Sequence, residues 1–370
     1  MELTNATALT AGYTLGIDPE AREHIVVAVK GTFVFPARDG DACERAEVQA
    51  PLVLSDVHWG APGFSAPRYE VDFARRKPRC DVILNASAHA PDDRPAERVR
   101  VGAKVGSWSK ILDVVGDRVW LDQAVRVAAS APLPFLRKRI AYDDAFGGVD
   151  DLDPDEATPE AYPANPVGRG WHRIRNRARV VGAPLPSVER PDDPVRAPWG
   201  DHAPAGFGII ARGWPARLRF AGTYDQAWID EVFPFLPADF DDRHFQAAPE
   251  DQQIDPPRGG EEVVLANLTP EGRTRFRLPV LGVPVHFFRR RGGHETRQAM
   301  LDTLLIEPDE RRLLLTWRAS IPLRRDIFEI PEAVVGPRPR GWWRARTLGK
   351  TWYPSLGDLV RARRPERDAP

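Results

Sequence analysis

The first part of the chain alternates apolar and polar positions with the period of β-strands. Residues 97–105 show this most clearly, because Val99, Val101 and Val105 fall on one face while arginine and lysine fall on the other. Residues 24–35 and 80–88 are runs of β-branched, aromatic and other apolar side chains that are each bounded by a proline. The pattern predicts a strand over each of these three ranges.

Residues 110–115 and 118–127 are two further strand-like runs, and Gly116-Asp117 lies between them. This dipeptide tolerates the positive φ angles that a two-residue hairpin turn requires. We therefore predict a hairpin with its turn at Gly116-Asp117. Together, these runs predict an N-terminal β-rich lobe over residues 1–141, built as an antiparallel β-sandwich.

Strand patterning returns after residue 260. The runs are separated by turn residues and cover residues 262–268, 274–278, 283–288, 300–307 and 311–323. The last two runs flank Pro308-Asp309-Glu310, which predicts a hairpin. We predict a second antiparallel, sandwich-like β region over residues 261–325. A tail over residues 326–370 follows, with one short helix predicted at residues 355–364.

The segment between the two β regions, residues 142–260, is rich in glycine, proline, tryptophan and phenylalanine. Residues 151–260 contain sixteen prolines and ten glycines, too many for long helices or central strands. The aromatic content argues against disorder. Burying the large aromatics contributes about 25–30 kcal/mol, whereas ordering the segment costs on the order of 100 kcal/mol or more. We therefore predict a mainly β chain with few short helices, in which this segment is an ordered, irregular layer packed on the lobes.

Composition excludes several classes of partner. The formal net charge is -1 with a pI near 6.7, so the chain has no long-range attraction to nucleic acid or to an anionic membrane. Cys43 and Cys80 do not make a disulfide framework. No secretory signal pattern or long apolar span occurs in the sequence, which predicts a cytoplasmic location. The sequence contains no glycine-rich nucleotide-binding pattern, no Gly-x-Ser-x-Gly nucleophile elbow and no His-Glu-x-x-His zinc motif, so no cofactor is predicted.

One cluster has residue types suited to catalysis or to metal binding. Asp239, Asp241, Asp242 and His244 bring carboxylates next to an imidazole, a set that binds divalent ions or performs acid–base chemistry. The competing interpretation is a turn in which aspartates accept backbone N–H bonds ahead of a short helix. Because Pro237 precedes the cluster, the turn is the favoured interpretation.

A series of short motifs runs through most of the chain in a defined order. The motifs lie at residues 29–33 (VKGTF), 69–72 (YEVD), 77–78 (KP), 81–83 (DVI), 116–120 (GDRVW), 145–148 (AFGG), 165–170 (NPVGRG), 185–189 (LPSVE), 204–208 (PAGFG), 214–217 (WPAR), 222–225 (GTYD), 236–241 (LPADFD), 302–304 (DTL) and 317–318 (WR). In their order and number they resemble a bacterial family, a domain of unknown function that is encoded within type VI secretion gene clusters. The resemblance covers residues 1–325 approximately and omits the tail.

The resemblance implies a function in binding rather than in catalysis. Members of that family act as adaptors or chaperones that stabilise a toxic effector and assist its loading onto the secretion spike. The implied partner is therefore an effector protein, with the spike or spike-tip protein as a further contact. The family has no established catalytic residues to carry over.

Four residues of the middle segment are candidate partner contacts: Arg169, Trp171, Trp214 and Trp228. Tryptophan and arginine are the side chains that most often dominate binding energy when they are exposed. If they are buried, they instead hold the irregular layer together. The alternative function is a metal-dependent hydrolase or a carbohydrate-active enzyme that uses the cluster from Asp239 to His244. A structural component of a secretion apparatus is a third possibility.

Overall fold

The computed structural model describes residues 1–150, 159–173 and 175–363. The described chain is mainly β with few short helices, as predicted. The remaining parts of the predicted middle segment and tail lie outside the described residues.

The longest strands belong to a seven-stranded sheet, and they arise from the runs that the hydrophobic pattern predicts. Its strands, in spatial order, are Gln253–Ile254, Cys80–Leu84, Met300–Glu307, Arg312–Pro322, Glu23–Val34 and Thr10–Ile17, with Glu44–Arg45 paired to the end of Glu23–Val34. Cys80–Leu84 and Met300–Glu307 are parallel, and the other neighbours are antiparallel. The hairpin across Pro308–Glu310 is confirmed.

Alternation along these strands gives the sheet two buried faces. Val29, Leu315 and Trp317 project into the main apolar core on one side. Lys30 and Thr316, their neighbours in sequence, point to the opposite side and are also buried. In many antiparallel sheets one face is exposed to solvent, and the polar side chains on that face bind water. Here the second face is covered, so its polar groups need partners within the protein.

Two further sheets complete the main core. The five-stranded sheet has the order Val188–Glu189, Trp108–Val115, Arg98–Val105, Glu262–Ala266 and Arg273–Arg277. The four-stranded sheet has the order Glu2–Asn5, Glu332–Val335, Pro284–Phe288 and His294–Gln298. Strands from the start and from the end of the chain are therefore hydrogen-bonded to one another, while sandwich-like packing of the two predicted regions stays a prediction.

Short two-stranded ladders and helices make up the remaining regular structure. The ladders pair Val57–His58 with Pro67–Tyr69, Ala86–His89 with Arg137–Ile140, Trp120–Gln123 with Arg126–Ala129, Phe146–Gly147 with Arg169–Gly170, and Val149–Asp150 with Glu160–Ala161. The α-helices are Arg177–Val180, Pro215–Leu218, Gln226–Glu231, Arg340–Thr347 and Leu356–Arg363. The 3-10 helices are Pro91–Asp93, Tyr142–Asp144, Asp242–Phe245, Glu250–Gln252, Pro308–Glu310 and Ile327–Glu329.

The hairpin predicted at Gly116-Asp117 is wrong. Trp108–Val115 pairs with Arg98–Val105, and the hairpin beyond residue 116 turns instead at Ala124, which has a φ of 55°. A Cβ at Gly116 would lie 1.9 Å from the carbonyl oxygen of Leu133. Glycine is therefore required here for the close approach of two backbones rather than for a turn.

The middle segment supplies side chains to the same core as the sheets. Tyr142, Phe207 and Trp214 pack in the main cluster, while Phe146 and Leu185 pack in a smaller cluster with Trp120. Both cysteines are buried as free thiols, and burial raises the pKa of Cys43 to about 12. No helix in the described part of the chain combines the length and the apolar character that crossing a bilayer requires.

Candidate functional site

The second face of the seven-stranded sheet carries a group of buried ionic side chains, which we call the charged face. Its members are Lys30, Glu70, Asp72, Lys77, Asp81, Asp302, Arg217 and Arg318. All eight lie within seven of the short motifs found in the sequence, at residues 29–33, 69–72, 77–78, 81–83, 214–217, 302–304 and 317–318. Motifs that are far apart in the chain therefore meet at one place in the fold.

Lysines and aspartates form the centre of the charged face. Lys30 Nζ lies 2.8 Å from Asp72 Oδ2. Lys77 Nζ lies 2.7 Å from Asp81 Oδ2 and donates a second bond to the Thr303 hydroxyl at 3.1 Å. Buried charges are tolerated only when they are paired and hydrogen-bonded, and these are.

Arg318 connects Asp72, in the loop before Cys80–Leu84, with Asp302 on the neighbouring strand. Its guanidinium pairs with the Asp302 carboxylate, and its Nε donates to the backbone carbonyl of Asp72 at 2.7 Å. Burial raises the pKa of Asp302, and the nearby Arg318 and Lys77 offset only part of that effect. The short loop before Cys80–Leu84 is thereby tied to the two central strands.

Arg217 attaches the middle segment to the charged face. Two arginines of that segment bind Glu70 Oε1, Arg212 through Nε at 2.7 Å and Arg217 through a terminal nitrogen at 2.8 Å. Arg217 also donates to the carbonyls of Ile210 and His244, both at 2.8 Å. Burial opposes ionisation of Glu70, but the positive charges around it prevail and lower its pKa.

A second attachment runs through Asp81. Gln246 Nε2 donates to Asp81 Oδ1 at 2.6 Å, and the Ala247 backbone N–H donates to Asp81 Oδ2 at 2.8 Å. The cavity among these groups measures about 30 Å³, which is the scale of buried water and far below that of a substrate pocket. The charged face thus connects the middle segment to the sheet.

The predicted partner contacts Arg169 and Trp171 lie in the irregular layer. Arg169 is half-buried, and it donates to the Asp143 carbonyl at 3.0 Å and pairs with Asp144 at 2.6 Å. Trp171 is half-buried beside Tyr162, with ring centroids 5.6 Å apart. These contacts hold the layer together.

The other two predicted contacts, Trp214 and Trp228, have different surroundings. Trp214 is only 7% exposed and stands edge-on to Tyr142, with centroids 5.5 Å apart. Trp228 belongs to the short helix Gln226–Glu231, none of whose residues is buried. The four tryptophan and arginine candidates thus lie in different surroundings, and their role in binding stays a prediction.

Residues 222–239, which we call the acidic lobe, are held mainly by their own bonds. The Asp239 carboxylate accepts the backbone N–H of Thr223 at 3.0 Å and its hydroxyl at 2.7 Å, which closes the two ends of the lobe. Asp225 caps the helix by accepting the Trp228 N–H at 2.9 Å. The Trp228 indole N–H donates to the carbonyl of Phe235, also at 2.9 Å. Local bonds therefore define the shape of the lobe.

The acidic lobe presents apolar side chains to solvent. Phe233 is 66% exposed, Ile229 54% and Tyr224 51%. Trp228 lies between the aromatic rings, edge-on to Tyr224 at 4.7 Å and to Phe233 at 5.6 Å. Tyr224, Ile229 and Phe233 are absent from the predicted contacts, although the composition of this part of the sequence indicates an unusual surface. Over eighteen residues, four aromatics and four carboxylates occur without a lysine, an arginine or a histidine.

The cluster from Asp239 to His244 adopts the capped-turn arrangement. Asp241 accepts the Arg243 N–H at the start of the helix Asp242–Phe245, and its hydrogen bond with the Arg243 side chain lowers its pKa. Asp242 pairs with Arg75 at 2.6 Å, although burial raises its pKa. His244 Nδ1 lies 3.2 Å from the carbonyl of Arg217, and burial lowers the pKa of its ring.

Each of these side chains has a different partner. In the ranges 1–150, 159–173 and 175–363, no group of three or more His, Cys, Asp and Glu side chains is placed to share a metal ion.

The sequence profile of a bacterial family, described as "Uncharacterized protein conserved in bacteria (DUF2169)", matches residues 20–318. The chain belongs to this family. The DUF2169 match includes every charged-face residue and the whole acidic lobe, and it ends at Arg318. No curated protein and no solved structure matches the chain.

Proposed function

We propose that this member of the DUF2169 family is an adaptor or chaperone of type VI secretion. In this proposal it acts in the cytoplasm, binds a toxic effector and assists its loading onto the secretion spike. The order of the sequence motifs supports the secretion context.

The exposed apolar surface of the acidic lobe is the observation that carries the proposal. A side chain such as Phe233 gains little in stability from an exposed position, whereas it gains contact area when a partner covers it. The charged face holds the neighbouring residues 210–217 and 244–247 on the rigid sheet. The protein therefore presents its lobe from a fixed base, which reduces the ordering cost of binding.

Co-expression tests the proposal directly. The chain is produced together with each protein encoded beside it, and a tag on the chain captures any complex. We expect one neighbouring effector to co-purify in a fixed ratio and its soluble yield to rise. Failure to co-purify with any protein of the cluster would sink the proposal.

A matched pair of variants locates the contact. Phe233→Ser removes an exposed aromatic from the lobe, and Phe64→Ser removes an even more exposed aromatic from a turn elsewhere. We expect capture of the effector to fall with Phe233→Ser and to persist with Phe64→Ser. Equal loss in both variants would show that the lobe is not the binding surface.

A further inference from the structure

The acidic lobe carries negative charges only, and within the described residues no cation pairs with them. Asp225, Asp230, Glu231 and Asp239 are its four carboxylates, and the lobe contains no basic residue. Within the described chain, none of the four forms an ion pair: Asp225 and Asp239 accept bonds from the lobe itself, and Asp230 accepts one from Gln226 at 2.9 Å. Elsewhere in the fold, carboxylates such as Asp81 and Asp113 are paired with lysine or arginine.

Stability does not account for this composition. Four like charges on one small element repel one another, and exposed Phe233 and Ile229 bury little apolar area. A partner that carries both positive charge and an apolar face relieves both costs, because its cations neutralise the carboxylates while its apolar side chains cover the rings.

We propose that the acidic lobe binds a basic, amphipathic segment of the client protein, with lysine or arginine against Asp230 and Glu231 and apolar side chains against Tyr224, Ile229 and Phe233. This inference rests on the proposed function, and it adds the chemistry by which the client is recognised. Nucleic acid and anionic lipid carry the same sign of charge as the lobe and are therefore disfavoured.

Binding of a defined peptide tests the inference. The probe is a fluorescently labelled lysine–leucine peptide with the spacing of an amphipathic helix, and its counterpart replaces every lysine with glutamate. Anisotropy titrations use the full chain at low and at high salt. We expect the lysine peptide to bind at least about tenfold more tightly than the glutamate peptide, and its affinity to fall as salt rises.

Charge-matched variants separate the lobe from the general charge of the protein. Asp230→Lys with Glu231→Lys leaves the lobe with two negative and two positive charges, so its formal charge becomes zero. Glu44→Lys with Glu97→Lys makes the same change in the protein's net charge at exposed carboxylates that form no ion pair within the described residues. We expect the lobe variant and Phe233→Ser to weaken peptide binding at least about tenfold, and the control to remain within about twofold. Unchanged melting temperatures verify that all variants are folded.

Three results would overturn the inference. The first is equal binding of the two peptides, and the second is equal weakening by the lobe variant and its control. The third is self-association of the chain that Phe233→Ser abolishes, which would make a second copy the occupant of the lobe. If an effector co-purifies while the lysine peptide does not bind, the adaptor function stands and this inference fails. If the peptide binds at the lobe and no neighbouring protein co-purifies, the inference stands and the adaptor function fails.

Discussion

The charged face and the acidic lobe are built from similar side chains in opposite surroundings. In the charged face, carboxylates such as Asp81 and Glu70 are buried and each meets a cation within 3 Å. In the acidic lobe, Asp230 and Glu231 are exposed and meet none among the described residues. Buried charges must be paired for the protein to fold, whereas exposed unpaired charges are free to serve a partner. Substitutions in the two regions test this distinction.

Arg217→Ala should have the largest effect. It removes one of the two arginines that pair with the buried Glu70 carboxylate and leaves the carbonyls of Ile210 and His244 without this donor, which we expect to cost about 3–5 kcal/mol of unfolding free energy. Chemical denaturation measures the loss. The control is Arg219→Ala, which removes an exposed arginine two residues away and should cost less than about 1 kcal/mol. Equal losses would mean that the charged face does not anchor the segment.

Acid should weaken the same anchor. The pKa of Glu70 lies below its ordinary value of 4.5 in the folded protein, so the unfolded chain binds a proton more readily. The stabilisation by Glu70 is therefore fully present above pH 4.5 and is lost as the pH falls through the lower, folded pKa. Unfolding free energies measured from pH 7 to pH 3 should decline less steeply for Glu70→Gln than for the unaltered chain. Parallel profiles would contradict the assignment.

Trp228→Ala should loosen the acidic lobe while leaving the body intact. It removes the bond to the Phe235 carbonyl and two ring contacts, which together contribute about 1–2 kcal/mol. Hydrogen exchange should speed up at residues 222–239 and stay unchanged at Cys80–Leu84. Faster exchange in both places would show that the lobe and the sheet unfold as one unit.

Asp241→Ala tests the enzyme alternative. Loss of the cap on the helix Asp242–Phe245 should cost about 1 kcal/mol, seen as a small decrease in melting temperature. Because Asp241 and Asp242 have separate arginine partners, we expect no stoichiometric calcium, zinc or manganese in the purified protein. A stoichiometric metal that is lost in this variant would favour a metal-dependent enzyme over the adaptor.

Glu231→Gln should have the smallest effect. Its carboxylate is exposed and unpaired within the described residues, so the unfolding free energy should change by no more than about 0.5 kcal/mol. Asp81→Asn, the buried counterpart, should cost several times more under the same conditions. A similar cost for both substitutions would remove the distinction between the two regions.

The strands could be predicted because their signal is local. Residues 24–35 and 262–268 predict strands that the structure has at Glu23–Val34 and Glu262–Ala266. The prediction of a turn at Gly116-Asp117 is wrong because a glycine can indicate either a turn or a close approach of two backbone segments. Here the backbone of Leu133 approaches Gly116, and the residues next to the glycine do not reveal this contact. The strand Glu2–Asn5 has too few residues to show a period and depends on its pairing with Glu332–Val335.

The charged face could be predicted only as separate motifs. Its bonds join residues far apart in the chain, such as Arg217 with Glu70 and Lys77 with Thr303. Pairing of this kind follows from strand order, which the hydrophobic pattern does not determine. The acidic lobe was within reach of the sequence, because its charge and aromatic content are local. Trp228 is among the predicted contacts, whereas Phe233 is not, because an aromatic side chain is more often buried than exposed.

The order of pairing in the seven-stranded sheet also has a consequence for synthesis on the ribosome. Glu23–Val34 leaves the ribosome early. One edge of this strand pairs with Arg312–Pro322, where Gly31 lies opposite Leu315. That edge therefore has no hydrogen-bonding neighbour until residues 312–322 have been synthesised. Such a nascent chain exposes an apolar edge for most of its translation, which favours aggregation. We expect truncated chains that end before Arg312 to be insoluble, and the full chain to depend on general chaperones during its own production.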